Sequence, residues 1–114
     1  MLANNKLLEK YENGQKVCGA FFNLDSTVVV EIFAQLGLDF VVIDAEHSPY
    51  GVESAARFVM AAEVRGMTPI VRVKDANRNS ILKMLDIGAK GLLIPFVKTV
   101  DEVKEIVSYG KYFP

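Results

Sequence analysis

The sequence is short of several residue types on which common classes of protein depend. Its 114 residues include one cysteine, Cys18, one histidine, His47, and no tryptophan. A single cysteine cannot close an internal disulfide, which argues against a disulfide-stapled secreted domain and leads us to expect a reducing, cytoplasmic location. Because Cys18 lies within an apolar run, we expect it to be a small core residue rather than a reactive thiol.

An excess of charge of one sign is also absent. The chain has 13 Lys and Arg residues and 14 Asp and Glu residues, for a formal net charge of -1. Nucleic-acid binding requires a basic face, so we expect no nucleic-acid partner. No apolar run approaches the roughly 20 residues that cross a bilayer, and the first residues, MLANNKLLEKYENG, contain no apolar signal core. We therefore expect neither membrane contact nor export.

What the sequence does contain is a regular alternation of apolar runs with helix-like segments. Hydrophobic residues make up 51% of the chain and no linker divides residues 1–114, so we expect one domain with its own core. The apolar runs predict four β-strands, at 17–22, 39–45, 68–73 and 91–97. A short helix is predicted before Asn13-Gly14, and further helices are predicted at 28–37, 52–66, 77–89 and 101–112.

This alternation predicts an α/β fold with a parallel sheet, because helices between fully hydrophobic strands make right-handed crossovers and bury both faces. The spacing fits either a (β/α)8 barrel or a doubly wound sheet. No G-x-G-x-x-G or G-x-x-x-x-G-K-[ST] motif follows a strand, and polar residues collect after the strands, which favours the barrel. A barrel needs eight strands and about 250 residues. Residues 1–114 are therefore interpreted as about four βα units, either a fragment or a half-barrel that associates to cover its open face.

The densest group of chemically active residues directly follows the second predicted strand, in the segment FVVIDAEHSPYG. Asp44, Glu46 and His47 lie there, and a turn at Ser48-Pro49 would let their side chains converge. A carboxylate beside an imidazole can raise its basicity, as a general base requires, and a spare carboxylate can hold a divalent metal ion. The alternative interpretation is that Ser48 caps the next helix while the two carboxylates face water.

Two further charged residues are candidates. Arg72 lies inside the valine-rich third strand, where a charge needs a partner, and its forked donors suit a carboxylate or an enolate oxygen. It could instead pair with a neighbouring acid. Asp86 lies near a predicted helix C-terminus, which disfavours negative charge, so its position suggests a functional role unless Lys83 or Lys90 neutralises it.

Together these segments resemble the N-terminal half of the HpcH/HpaI aldolase family, the class II pyruvate-dependent aldolases. The resemblance runs from about Cys18 to the last residue and rests on several motifs in the family's order: FVVIDAEHSPY, TPIVRV, LDIGAKGLLIPFVKTVDEVKEIV and the terminal KYFP. The sequence departs from the family at Phe22, where a tryptophan is usual, and at Ser48, where alanine or glycine is common.

The resemblance implies a (β/α)8 barrel, usually a hexamer, that cleaves 4-hydroxy-2-oxo acids to pyruvate and an aldehyde with the help of Mg²⁺, Mn²⁺ or Co²⁺. On the matching positions, His47 would transfer a proton. Asp44 would orient it, as would Asp86 from a neighbouring element or subunit. Arg72 would bind the 2-oxo oxygen of the substrate, and Glu46 would lie beside the metal through its waters.

The same resemblance implies that the metal site is incomplete in these residues. In the family, the two direct metal carboxylates come from strands later than any in this sequence. We therefore expect little aldolase activity from the 114 residues alone. The alternative is a non-catalytic half-barrel that self-associates or binds a partner.

Overall fold

The structure, a computed structural model, describes residues 5–49 and 51–111, so Tyr50 and most of the terminal KYFP motif lie outside the described residues. Helices and strands alternate along the chain: α1 Lys6–Glu12, β1 Gly19–Phe22, α2 Thr27–Gln35, β2 Phe40–Asp44, α3 Val52–Val64, β3 Thr68–Arg72, α4 Arg78–Asp86, β4 Gly91–Leu93 and α5 Val100–Gly110. Among these helices, none is both long enough and apolar enough to cross a membrane.

Local sequence explains where two of the helices begin. The Ser26 hydroxyl accepts a hydrogen bond from the Val29 N–H at the start of α2, and the Thr99 hydroxyl accepts one from the Glu102 N–H at the start of α5. Helix α2 forms although three consecutive valines disfavour it. Its Val30 is fully buried, so tertiary packing outweighs the low intrinsic propensity.

All four strands are shorter than predicted, and the reason is clearest for β1 and β4. Strand β1 begins at Gly19, and Cys18 is exposed, so the expectation that Cys18 is a core residue is wrong. The Cys18 N–H donates to the Asp39 carboxylate at 2.9 Å, and the Cys18 carbonyl accepts the Asp39 N–H at 2.7 Å just before the strand begins. Strand β4 ends at Leu93, since Pro95 lacks an N–H and Phe96 adopts a left-handed φ of 61°.

The four strands form one parallel sheet in the order β1-β2-β3-β4. The first strand therefore lies at an edge of the sheet, whereas in a doubly wound sheet it lies in the interior. This order, with a helix after every strand, confirms the barrel prediction. The described chain consists of four consecutive βα units of a (β/α)8 barrel.

The two faces of the sheet differ. One face carries Phe22, Val41, Ile43 and Val71, which are buried against the helices and form the core. Strand alternation places Phe21, Val42, Asp44, Arg72 and Leu93 on the other face. Phe21 is 58% exposed and Leu93 40% exposed. Within the described residues, the prediction of burial on both faces therefore holds fully only on the helix side.

Candidate active site

The site is built on Asp44, the last residue of β2. The Asp44 side chain is nearly fully buried, and its Oδ1 accepts hydrogen bonds from the backbone N–H groups of Glu46 and His47, both at 3.1 Å. A short aspartate side chain that bonds to the backbone two and three residues later curls the chain into a tight turn. The turn brings Glu46 and His47 back over Asp44, so hydrogen bonds within the D-x-E-H segment are enough to bring its three polar side chains together.

Arg72 completes the site from the neighbouring strand. It ends β3 in register with Asp44, on the same face of the sheet. Its Nε donates to Asp44 Oδ1 at 3.1 Å and its Nη2 donates to Asp44 Oδ2 at 2.7 Å. This forked ion pair holds the pKa of Asp44 far below its usual range, helped by the two backbone N–H donors and opposed by burial, and it raises the pKa of Arg72.

His47 lies over this ion pair with its ring 61% exposed. Its Nδ1 is 2.7 Å from Arg72 Nη2, 3.3 Å from Asp44 Oδ2 and 3.5 Å from Glu46 Oε1. A guanidinium only donates, so the shortest contact requires Nδ1 to accept and Nε2 to carry the proton. In the other tautomer, Nδ1–H donates to Asp44 and leaves Nε2 free to accept a proton. A base oriented by Asp44 therefore requires the His47 ring to move away from Arg72 Nη2.

The side chains of Asp44, Glu46 and His47 offer ligand atoms within 4.8 Å of one another, which is close enough to hold a metal ion. Asp44, however, already accepts two hydrogen bonds from Arg72 and two from the backbone. The Glu46 carboxylate makes only longer contacts, 3.4 Å to Arg72 Nε and 3.5 Å to His47 Nδ1, so its oxygens are more available to a metal ion. The donor set fits a divalent cation in part: Glu46 can supply oxygen, and the ion needs further ligands.

The structure brings together four of the five residues singled out in the sequence. Asp86 is the exception within this chain, because it ends α4, and a crossover helix that leaves the C-terminal edge of the sheet returns to the N-terminal edge. The interpretation of Ser48 as a helix cap is wrong. Helix α3 has Gly51 as its N-cap, and the Ser48 hydroxyl instead points to the Asn23 carbonyl at 3.5 Å.

One aromatic residue at the site was not singled out in the sequence. The Arg72 guanidinium lies over the ring of Phe21, with Cζ 5.1 Å from the ring centroid. Phe22, noted above for replacing a tryptophan, is instead buried in the core against Phe58. Strand alternation shows only that these adjacent residues face opposite sides of the sheet, and not which of them meets Arg72.

A cavity of about 670 Å³ lies next to the site but on the helix side of the sheet. It is lined by the ends of strands and the first turns of α3 and α4, including Val73, Asp75 and Ser80. None of the four clustered residues lines it. The candidate site is therefore an open surface at the C-terminal edge of the sheet within the described residues, and not this cavity.

The sequence and the fold of this chain are similar to those of several known proteins. A hydroxypyruvate/pyruvate aldolase from Sagittula stellata is 35% identical over 113 residues, which are 99% of this chain and 45% of the relative. The crystal structure of an HpcH/HpaI aldolase from Desulfitobacterium hafniense is 34% identical with a TM-score of 0.88, covering 95% of this chain and 42% of that one. The crystal structure of the citrate synthase SbnG is 39% identical with a TM-score of 0.89, covering 95% and 44%.

The chain thus spans less than half the length of the curated relatives it matches, 42% to 45%. The sequence profile of one family, described as HpcH/HpaI aldolase/citrate lyase, matches residues 18–114. The match includes all four strands and every residue of the cluster. This chain belongs to the HpcH/HpaI aldolase/citrate lyase family.

Proposed function

We propose that this chain supplies the proton-transfer and anion-binding part of a class II aldolase site that cleaves 4-hydroxy-2-oxo acids to pyruvate and an aldehyde. The observation that carries the proposal is the convergence of Asp44, His47 and Arg72 at the ends of two adjacent parallel strands. The C-terminal edge of the strands is where (β/α)8 barrels place their chemistry. The aldolase relatives support the same reaction class.

Arg72 binds the oxygen on which charge develops. Its Nε and Nη2 groups are already used by Asp44 and His47, which leaves Nη1 without a hydrogen bond among the described residues. Nη1 can therefore donate to the 2-oxo oxygen of the substrate, and to the same oxygen as it becomes an enolate. A donor that is fixed before the reaction stabilises the developing charge without reorganising.

His47 moves the proton. In the retro-aldol direction the proton leaves the C4 hydroxyl, the C3–C4 bond breaks, and its electron pair forms the enolate of pyruvate while the C4–O bond becomes an aldehyde carbonyl. For this step the His47 ring turns away from Arg72 Nη2, so that Nδ1–H donates to Asp44 and Nε2 accepts the proton, directly or through a water. Protonation at C3 then releases pyruvate.

A divalent ion, Mg²⁺, Mn²⁺ or Co²⁺, would polarise the 2-oxo carbonyl as a Lewis acid when bound. In this chain Glu46 is the residue that would hold it, most simply through the waters of the ion. The partial fit of the donor set supports a shared site in which residues beyond this sequence supply the direct ligands.

The position of Asp86 supports an oligomer. Since α4 carries Asp86 to the edge of the sheet opposite the cluster, it can act only in the site of another subunit. We propose a homo-oligomer in which Asp86 of one subunit approaches His47 of the next. The lone exposed Cys18 and the absence of any disulfide partner support a cytoplasmic location.

The test is a lyase assay of a barrel assembled from two polypeptides. The chain is assayed for pyruvate release from a 4-hydroxy-2-oxo acid with Mn²⁺, alone and after co-expression with the remaining segment of the Sagittula stellata relative. We expect little release from the chain alone and metal-dependent release from the assembled barrel, abolished by His47→Ala. Release that is indifferent to His47→Ala, or none from an assembled barrel, would contradict the proposal.

The same two samples, the chain alone and the assembled barrel, also test two other functions. The 39% identity to a citrate synthase favours carbon–carbon bond formation as a second candidate, and it predicts addition of an enolate to the keto carbon of a 2-oxo acid without detectable cleavage. A non-catalytic half-barrel that covers its open face with another copy predicts a stable oligomer that is indifferent to metal and to the second piece.

A further inference from the structure

We propose that Phe21 is a positioning residue for Arg72: its ring fixes the plane of the guanidinium so that Nη1 points at the substrate oxygen. The inference rests on the proposed function of Arg72 as the anion-binding group. It concerns a residue on the edge strand β1, which no part of the reaction as described above uses.

The first observation is how Arg72 is held. All of its contacts with Asp44, Glu46 and His47 lie along one edge of the guanidinium, at Nε and Nη2. Contacts along one edge of a planar group oppose movement within the plane, but they leave the group free to rock about that edge. Rocking would displace Nη1 most, because Nη1 lies farthest from the contacted edge.

The second observation is the location of Phe21. Arg72 Cζ lies over the Phe21 ring, 5.1 Å from the ring centroid, within the distance over which a cation is attracted to an aromatic face. Phe21 pairs with Val42 of β2, two residues before Asp44, so the sheet itself sets the height of the ring. The ring therefore opposes the one motion that the ion pairs permit.

The third observation is that Phe21 does not pack into the core that the described residues form. It is 58% exposed, whereas its neighbour Phe22 is 1% exposed and makes edge-to-face contacts with Phe33 and Phe58. An exposed phenylalanine contributes little to the core. Its contact with Arg72 gives it a role that burial does not.

The test compares Phe21→Leu with Phe21→Trp and with a matched control, Phe96→Leu. Phe96 is 78% exposed and follows β4, and the change removes the same ring. Two properties are measured on the full chain: the NMR shift of the Arg72 Nε–H proton, assigned with Arg72→Lys, and the affinity for oxalate, a planar dianion that mimics the enolate of pyruvate. Circular dichroism checks that each variant folds.

We expect Phe21→Leu to abolish the upfield ring-current shift of the Arg72 proton and to weaken oxalate binding about two- to fivefold. Phe21→Trp should retain both properties, and Phe96→Leu should change neither. An Arg72 proton that is unaffected by Phe21→Leu, or equal oxalate affinity in Phe21→Leu and Phe96→Leu, overturns the inference. If the wild type binds no oxalate while the proton shift still depends on Phe21, the proposed function fails and the positioning of Arg72 stands.

Discussion

Strand β2 is flanked by two aspartates that make similar bonds and differ in what surrounds them. Asp39, just before the strand, pairs with Lys10 at 2.6 Å and accepts the Cys18 N–H at 2.9 Å. Asp44, at its end, pairs with Arg72 at 2.7 Å and accepts two backbone N–H groups. In both cases the cation lowers the pKa of the carboxyl group.

The Asp39 pair fastens α1 to the sheet, and an apolar cavity of about 300 Å³ lies between them. The Asp44 pair is instead covered by an imidazole, a second carboxylate and an aromatic ring. A carboxylate with a cationic partner is therefore not by itself a sign of chemistry. The convergence of several titratable groups on one ion pair distinguishes the candidate site from the Asp39–Lys10 pair at the other end of the strand.

The largest contrast is expected in activity. In the two-piece barrel described above, Arg72→Lys keeps the charge but loses the fork that pairs with Asp44, and kcat/KM should fall about 10²- to 10³-fold, as for loss of a donor to a developing oxyanion. Lys10→Ala at the other end of β2 should leave kcat/KM within about twofold, because it only loosens α1. Steady-state assays of pyruvate release measure both. Equal effects of the two changes would remove the distinction between the two ends.

A smaller contrast is expected in stability. Asp44→Asn removes a buried charge that Arg72 needs, and the free energy of unfolding should fall by about 2 kcal/mol, as for hydrogen bonds to charged groups. Asp39→Asn weakens a pair whose lysine is half exposed, and the loss should stay below about 1 kcal/mol. Urea titrations at neutral pH measure both values. A larger loss for Asp39→Asn would mean that the Asp39–Lys10 pair stabilises the fold more than the Asp44–Arg72 pair does.

The smallest contrast is expected in the dependence of stability on pH. Because Asp44 has a lower pKa in the folded than in the unfolded chain, the folded state binds fewer protons, and its contribution is complete above the ordinary pKa of about 3.9. It is lost as the pH falls through the lower pKa of the folded state. The stability difference between wild type and Asp44→Asn should therefore shrink between about pH 4.5 and pH 2. Asp39→Asn should show the same sign with a smaller amplitude, and a difference that grows towards acid would contradict the assignment.

Much of this could be predicted from the sequence because the signals are local. Apolar runs and helix-like segments located the strands and helices of the described residues, and the D-x-E-H segment forms a turn from its own side chains. The pairing of Arg72 with Asp44, 28 positions earlier, depends on the register of β2 and β3, and the sequence left this pairing open as an alternative. Cys18 was placed wrongly because an apolar neighbourhood does not show where a strand begins.

Phe21 was missed for a similar reason. Phe21 and Phe22 are identical residues next to each other, so the sequence does not distinguish them. The sheet determines which of them contacts Arg72 and which is buried in the core. Asp86 was singled out by its unfavourable place at a helix end, but it ends α4 and lies outside the cluster, so its role stays a prediction. Residues that act across strands or subunits are those that a linear pattern constrains least.

The most direct test of the central claim uses the only histidine in the chain. Every imidazole signal in an NMR spectrum of the isolated chain belongs to His47, so no assignment step is required. If Asp44, His47 and Arg72 form a binding site for 2-oxo acids, oxalate should shift these signals saturably in the wild type and in Lys10→Ala, but not in Arg72→Ala. Signals that do not respond to oxalate, or that respond equally in Arg72→Ala, would contradict the account.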